Sequence, residues 1–278
     1  MSHRYLQAAL CGTLLFASVA SLATASCSST TTVNPSSTSG APVTPPSTQP
    51  PVTTLFTKEV TQVKIEIDYA PGAEPFQGEV KKFGDPWSLL RANALAIFDG
   101  KKTVSFPSTL AKMEKLDDVP AKSFSNADLV AVAAAHRTEM QFSNVVSFYV
   151  VFVDGYWLDD TGAERTDVPG VSIGDTGIIG MFKKAIASPF VEQLTLIHHL
   201  GHAVGFVDNG VPVGEANRAH VDTANGHHCT NKQCAMSFAN ETVAGATAYA
   251  SEFIRSPEAV LIGQECLSDA RILENKTP

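Results

Sequence analysis

The sequence predicts an α+β fold, a small mixed sheet with helices packed against it. Three stretches carry that expectation. Val60 to Tyr69 alternates apolar and charged residues, which suits a half-buried strand. Ser125 to Arg137 opens on a Ser/Asn cap signal and continues as an Ala- and Val-rich run, which suits a helix. Pro189 to Val204 is long, apolar and starts on Pro, which suits a buried helix.

The remaining elements follow in order. Trp87 to Phe98 spaces Leu90, Ala94 and Ile97 as a helix does, after Asp85-Pro86. Val145 to Val153 is a β-branched and aromatic run ended by Asp154-Gly155, which predicts a fully buried strand. Val171 to Met181, interrupted by Gly174 and Gly177, predicts a strand or strand pair. Asp208 to Cys234 is rich in Gly, Asn, His and Pro and reads as loop, and a last helix is expected over Pro257 to Leu273.

The start of the chain is a different material. Of 278 residues, Arg4 is the only Lys, Arg, Asp or Glu before Lys58. Residues 1–27 read as an export signal: Arg4 in a short n-region, Leu6 to Ala20 as the apolar stretch, then Ala23-x-Ala25 before Ser26. The same segment resembles a bacterial lipobox, with lipid on Cys27; a plain secreted protein or a single anchor helix are the alternatives. Residues 28–55 are dominated by Ser, Thr and Pro and cannot bury enough apolar area to offset their chain entropy, so a tether is expected. Residues 56–278 are left as the folded domain. A net charge of −8 gives no basic footprint, so no nucleic-acid partner is expected. Membrane attachment is expected only through an N-terminal lipid.

Chemistry concentrates at the end of the long helix. His198 and His202 are four apart and share a helical face, so both imidazoles can reach one ion. Gly205 can stop the helix with a positive φ, and the turn it allows would return Asp208 toward the same ion. Two His and a carboxylate leave an open position for water, as catalytic zinc requires. The competing reading is a His pair on a core or cap position. His220, His227 and His228 could each compete with Asp208 as third ligand, or join Cys229 and Cys234 at a second ion, although loop histidines are usually solvated. His136 reads as structural or surface.

The stretch His198-His199-x-x-His202-x-x-Gly205-x-x-Asp208, followed by Met236, resembles the metzincin clan of zinc peptidases. The spacing of Cys229, Cys234 and Met236 is similar to that of archaemetzincins and related bacterial lipoproteins. The resemblance covers about Pro189 to Ser237. It implies a zincin fold with an irregular C-terminal subdomain and one catalytic-type Zn²⁺ on His198, His202 and Asp208. It also implies Met236 as an apolar floor, Val171 to Met181 as the edge strand that pairs with an extended peptide, and a peptide or protein substrate. The four-Cys second zinc site of archaemetzincins has only Cys229, Cys234 and Cys266 to match it, so a Cys229–Cys234 disulfide in an exported protein is the alternative.

One departure bears on activity. The family places Glu directly after the first His, where it takes a proton from zinc-bound water. Here His199 stands there. It could serve as a weaker base, close the site as a further ligand, or do nothing. Loss of general-base help typically removes about 10²–10⁴ in rate. Glu192 lies two turns away, while Glu215 in the following loop could approach. The sequence therefore implies an exported metallopeptidase-like hydrolase with weakened chemistry, or a zinc- or peptide-binding surface lipoprotein without turnover.

Overall fold

The computed structural model describes residues 52–80, 84–255 and 257–276. The signal, the candidate lipid site at Cys27 and nearly all of the tether lie outside them. The last four residues assigned to the tether are described: they form the helical turn α1 (Val52–Leu55), with Leu55 buried. The packed chain therefore begins slightly earlier than composition suggested, because Leu55 and Phe56 supply apolar area that the Ser/Thr run before them lacks. Among the described residues no helix is long and apolar enough to cross a membrane.

The chain builds a six-stranded mixed sheet. Its strands are β1 (Gln62–Tyr69), β2 (Thr103–Ser105), β3 (Glu114–Lys115), β4 (Val145–Val153), β7 (Gly170–Ile173) and β8 (Ile178–Phe182). A separate small ribbon pairs β5 (Trp157–Leu158) with β6 (Glu164–Arg165). The main order is β2-β1-β4-β8-β7, with β3 also on β1. Within the six-stranded sheet all pairings are parallel except β7 on β8. The α+β expectation is met.

Burial explains which strand goes where. Every residue of β4 is buried, as a central parallel strand covered on both faces must be. In β1, Val63, Ile65 and Ile67 are buried while the intervening side chains are not, apart from Asp68 near its end. The predicted strand over Val171 to Met181 is two strands joined by a 3₁₀ turn at Gly174–Thr176. Only β7 lies at the edge; β8 is interior, paired on both sides.

Helices cover both faces. They are α2 (Trp87–Ile97), α3 (Asn126–His136), α4 (Pro189–Ala203), α5 (Val243–Arg255) and α6 (Gln264–Lys276). Gly170 and Met181 are paired, as are Val171 and Gly180, so each pair shares a face of the sheet. A Cβ on Gly170 would meet Thr195 and His199 of α4, whereas one on Gly180 would meet Leu129 of α3. Helices α3 and α4 therefore lie on opposite faces. Ser125 caps α3 in a reciprocal box with Asp128. Ser188 caps α4, whose Pro189 sits in the first turn.

Helix α5 has no counterpart in the sequence reading. Its start, Val-Ala-Gly-Ala-Thr-Ala, offers no large apolar stripe, and it is held instead where Phe253 and Tyr249 stack on Phe190 of α4. The last helix begins at Gln264, later than Pro257. The segment before it is claimed by Asn93 of α2. The Asn93 Oδ1 accepts from the amides of Leu261 (2.7 Å) and Ile262 (3.1 Å), and its Nδ2 donates to the carbonyl of Ala259 (2.9 Å). Those amides are thereby removed from any helix.

Candidate metal centre

Helix α4 carries His198, His199 and His202 into the interior. Its core face is fixed by Leu194, Ile197 and Leu200, each at most 1% exposed. Gly201 allows the helix to sit directly on the following loop, since a Cβ there would lie 2.2 Å from the sulfur of Met236. Gly205 ends the helix with φ +87°, and Val207 and Asp208 follow at φ 57° and 61°.

That turn decides where Asp208 goes. Three positive φ values within four residues swing the chain so that Asn209 faces back, its amide donating to the carbonyl of His202 (3.1 Å). Asp208 is left exposed and outside the group of side chains that could hold an ion. In its place the structure brings His228 and Glu241 to His198 and His202; one donor atom from each of these four lies within 4.8 Å of the others.

The hydrogen bonds define which nitrogens face inward. A carbonyl can only accept, so His198 Nδ1–H donates to Ala235 O (2.7 Å) and His228 Nδ1–H donates to Asn225 O (2.7 Å). Both Nε2 atoms then present lone pairs. They converge on Glu241 Oε1 at 3.0 Å for His198 and 2.8 Å for His228, with His202 Nε2 at 3.3 Å from the same oxygen. His202 Nε2 is also 3.1 Å from His198 Nε2. Lone pairs and a carboxylate packed this closely repel unless a cation, a proton or a metal ion, stands among them. Three imidazoles and a carboxylate oxygen make a donor set that suits zinc.

Burial tunes these groups. Burial pushes the His202 imidazole down to about 4. Burial also opposes charge on His228, but its bonds to Glu241 and to the Asn225 carbonyl, with the charges of Glu241 and Asp222, together outweigh this and raise it. Glu241 is held well below the usual carboxylate range: burial acts against ionisation, and the bonds from His198, His202 and His228 overcome it.

His199 takes no part in the group of four. It is 2% exposed, burial drives it well below its ordinary value, and neither ring nitrogen has a hydrogen-bond partner among the described residues. Its ring stands edge-on to His198 and lines a cleft of about 310 Å³ with His202, Glu241, Trp157, Ser172 and Asn209. Met236 is fully buried beneath the histidine pair, against Gly201.

The other residues considered for the site lie apart from it. Glu192 is fully buried but is engaged by Lys183 and the amide of Phe76. Glu215 is exposed at the start of a 3₁₀ turn. His136 lies beside Asp118 at 3.3 Å, and His227 bonds the carbonyl of Val207.

A second cluster lies next to the first. Cys229, Cys234 and Cys266 are buried free thiols, so the expected Cys229–Cys234 disulfide is not formed. Cys234 Sγ is 3.7 Å from Cys266 Sγ and accepts from the amide of Gly263 (3.0 Å). The donor atoms of His220, Cys229 and Cys266 lie within 4.8 Å of one another. Hydrogen bonds from Cys234, Cys266 and His220 push the Cys229 thiol down. His220, weighed from the sequence as a possible partner of Cys229 and Cys234, does stand with the cysteines; its Nε2 bonds the buried Asp269 (2.8 Å), leaving Nδ1 toward Cys266 Sγ (3.8 Å).

Glu241 is absent from the sequence reading altogether. It follows the Met-containing turn by five residues and belongs to no helical or strand period that includes His198. Only the chain's return through Cys229 to Asn240 brings it there.

No protein-family model, curated protein or solved structure matches this chain.

Proposed function

We propose that this chain is an exported zinc metallopeptidase-like protein whose peptide hydrolysis is weakened by His199. The observation that carries the reading is the convergence of three histidine Nε2 atoms on one half-buried carboxylate oxygen. His198, His202 and His228 would hold the ion, with Glu241 against them. Bound zinc supplies Lewis acidity and lowers the pKa of a coordinated water.

The chain's own residues account for the rest. The unpaired edge of β7 can take an extended peptide as an added strand, next to the cleft that His199 and His202 line. The metzincin-like spacing and the fully buried Met236 support the same reading. His199 is neutral and buried, so proton transfer at that position is weaker than with the family's Glu. Cys229, Cys234 and Cys266, with His220, would hold a second, structural ion. Export and an N-terminal lipid on Cys27 belong to this proposal.

A second reading is favoured by Glu241 itself. With one oxygen within 3.3 Å of all three Nε2 atoms, it can serve as a fourth protein ligand and close the site. The protein would then bind zinc and peptide without turnover. The test is cleavage of an unfolded protein by zinc-loaded protein, with and without chelator, beside His199→Glu and Glu241→Ala. The first reading expects slow, chelator-sensitive cleavage that His199→Glu accelerates. Absence of cleavage in the wild type, together with its appearance in Glu241→Ala, would establish the closed site.

A further inference from the structure

The two clusters are built on the same short stretch of chain. His228 faces the histidine site and its neighbour Cys229 faces the sulfur site. Cys234 Sγ lies 3.7 Å from Cys266 Sγ of that sulfur site. The next residue, Ala235, supplies the carbonyl that orients His198 (2.7 Å), and Met236 after it packs on Gly201. The amide of Cys229 donates to the carbonyl of Met236 (2.8 Å), which closes the stretch into a loop. Anything that fixes Cys229 and Cys234 therefore also fixes one ligand of the histidine site and the group that sets the tautomer of another.

The sulfur site has its own outer support. Asp269 is fully buried, and its Oδ2 accepts from His220 Nε2–H. The Oδ1 accepts from the amide of Gly214 (3.0 Å) and from Asn217 Nδ2 (3.2 Å). A carboxylate behind an imidazole is the arrangement that fixes ring orientation and leaves the other nitrogen free to bind a metal. Asp269 and Cys266 are both on α6, so the site also ties that helix to the loop.

Resting on the two-ion reading above, we propose that the His220/Cys229/Cys234/Cys266 site fills first and that its ion sets the histidine site. His220 is its fourth ligand and Asp269 the residue that positions it. Thiolates bind zinc more strongly than neutral imidazoles do, so the order follows from the donors. The coupling follows from the shared loop, and by linkage it acts in both directions.

Cobalt(II) titration of the reduced, metal-free full chain tests this, because thiolate-bound cobalt has an intense charge-transfer band that imidazole-bound cobalt lacks. In the wild type the thiolate band should saturate with the first equivalent, before the second ion binds. Cys266→Ser should weaken binding at the histidine site about 10–100-fold, the usual scale for losing outer support. Asp269→Asn, a milder change, should weaken both sites in the same direction. His228→Ala should keep the thiolate band. Histidine-site affinity unchanged in both Cys266→Ser and Asp269→Asn would overturn the coupling while leaving the metallopeptidase-like reading intact. A wild type that shows the thiolate band but takes no second ion would overturn both. A reduced wild type that shows no thiolate band, or a disulfide among the three cysteines found by mass spectrometry of the protein as purified, would overturn the sulfur site.

Discussion

The sheet with α4 and the stretch from Gly214 to Cys266 are held together in different ways. The first is an apolar core: β4 is buried along its whole length, and Leu194, Ile197 and Leu200 seal α4 onto the rest. The second consists mainly of loop, short 3₁₀ turns and α5; it adds fewer apolar side chains to the core, among them Met236, Phe253, Leu261 and Ile262, and its interior also holds two polar clusters and the Asn93 bonds. Where a segment cannot bury much apolar area, directional cross-links must offset its chain entropy. The comparison teaches that residues placed to hold an ion can also act as fasteners: His198 and His202 stand on the apolar half, His228 and Glu241 on the other.

The largest expected effect separates the halves directly. A ligand at a thousandfold excess over its Kd stabilises the state that binds it by about 4 kcal/mol. Chelation should therefore raise amide exchange between residues 214 and 266 by orders of magnitude and leave β4 and α4 protected. Equal loss of protection in both halves would end the distinction. Zinc affinity should also fall as pH drops, since protons compete with the metal for imidazole ligands; a flat profile in a metal titration would count against a histidine site.

Within the apolar half, the buried Lys183–Glu192 pair is the exposed weakness. Lys183→Met leaves the Glu192 carboxylate buried without its cation, at a cost of about 3–5 kcal/mol. Denaturant unfolding should show this in zinc-loaded and metal-free protein alike. Asn93→Ala acts at the seam, leaving the amides of Leu261 and Ile262 without their acceptor, and should cost about 1–3 kcal/mol per unsatisfied group.

The smallest effect is at the α3 cap. Ser125→Ala should cost about 1 kcal/mol, read as a shift in denaturation midpoint without change in zinc content. Asp128 completes that cap. Burial alone would raise its carboxyl, but bonds from Lys122 and Ser125 depress it to about 2. Its contribution is therefore complete above the unfolded value near 4 and fades as pH falls toward 2.

The same division governs what could be read from the sequence. β1 and α2 are legible from their apolar period, β4 and α4 from unbroken apolar runs, and α3 from its cap signal and Ala/Val run. Helix α5, made largely of small residues, is not. His198 and His202 are legible because four residues make one helical turn. The Asp208 expectation rested on a turn that was correctly placed at Gly205, but the positive φ values at Val207 and Asp208 direct Asn209 inward instead. His228, Glu241, His220 and Asp269 meet through loop closure, for which the sequence has no period to display.

Zinc content of protein purified without added metal tests the central claim most directly, with wild type beside His228→Ala and Asp208→Ala. The account predicts one ion for each of the two donor groups in the wild type, one fewer in His228→Ala, and no change in Asp208→Ala. Zinc lost in Asp208→Ala and kept in His228→Ala, or no zinc in the wild type, would contradict it.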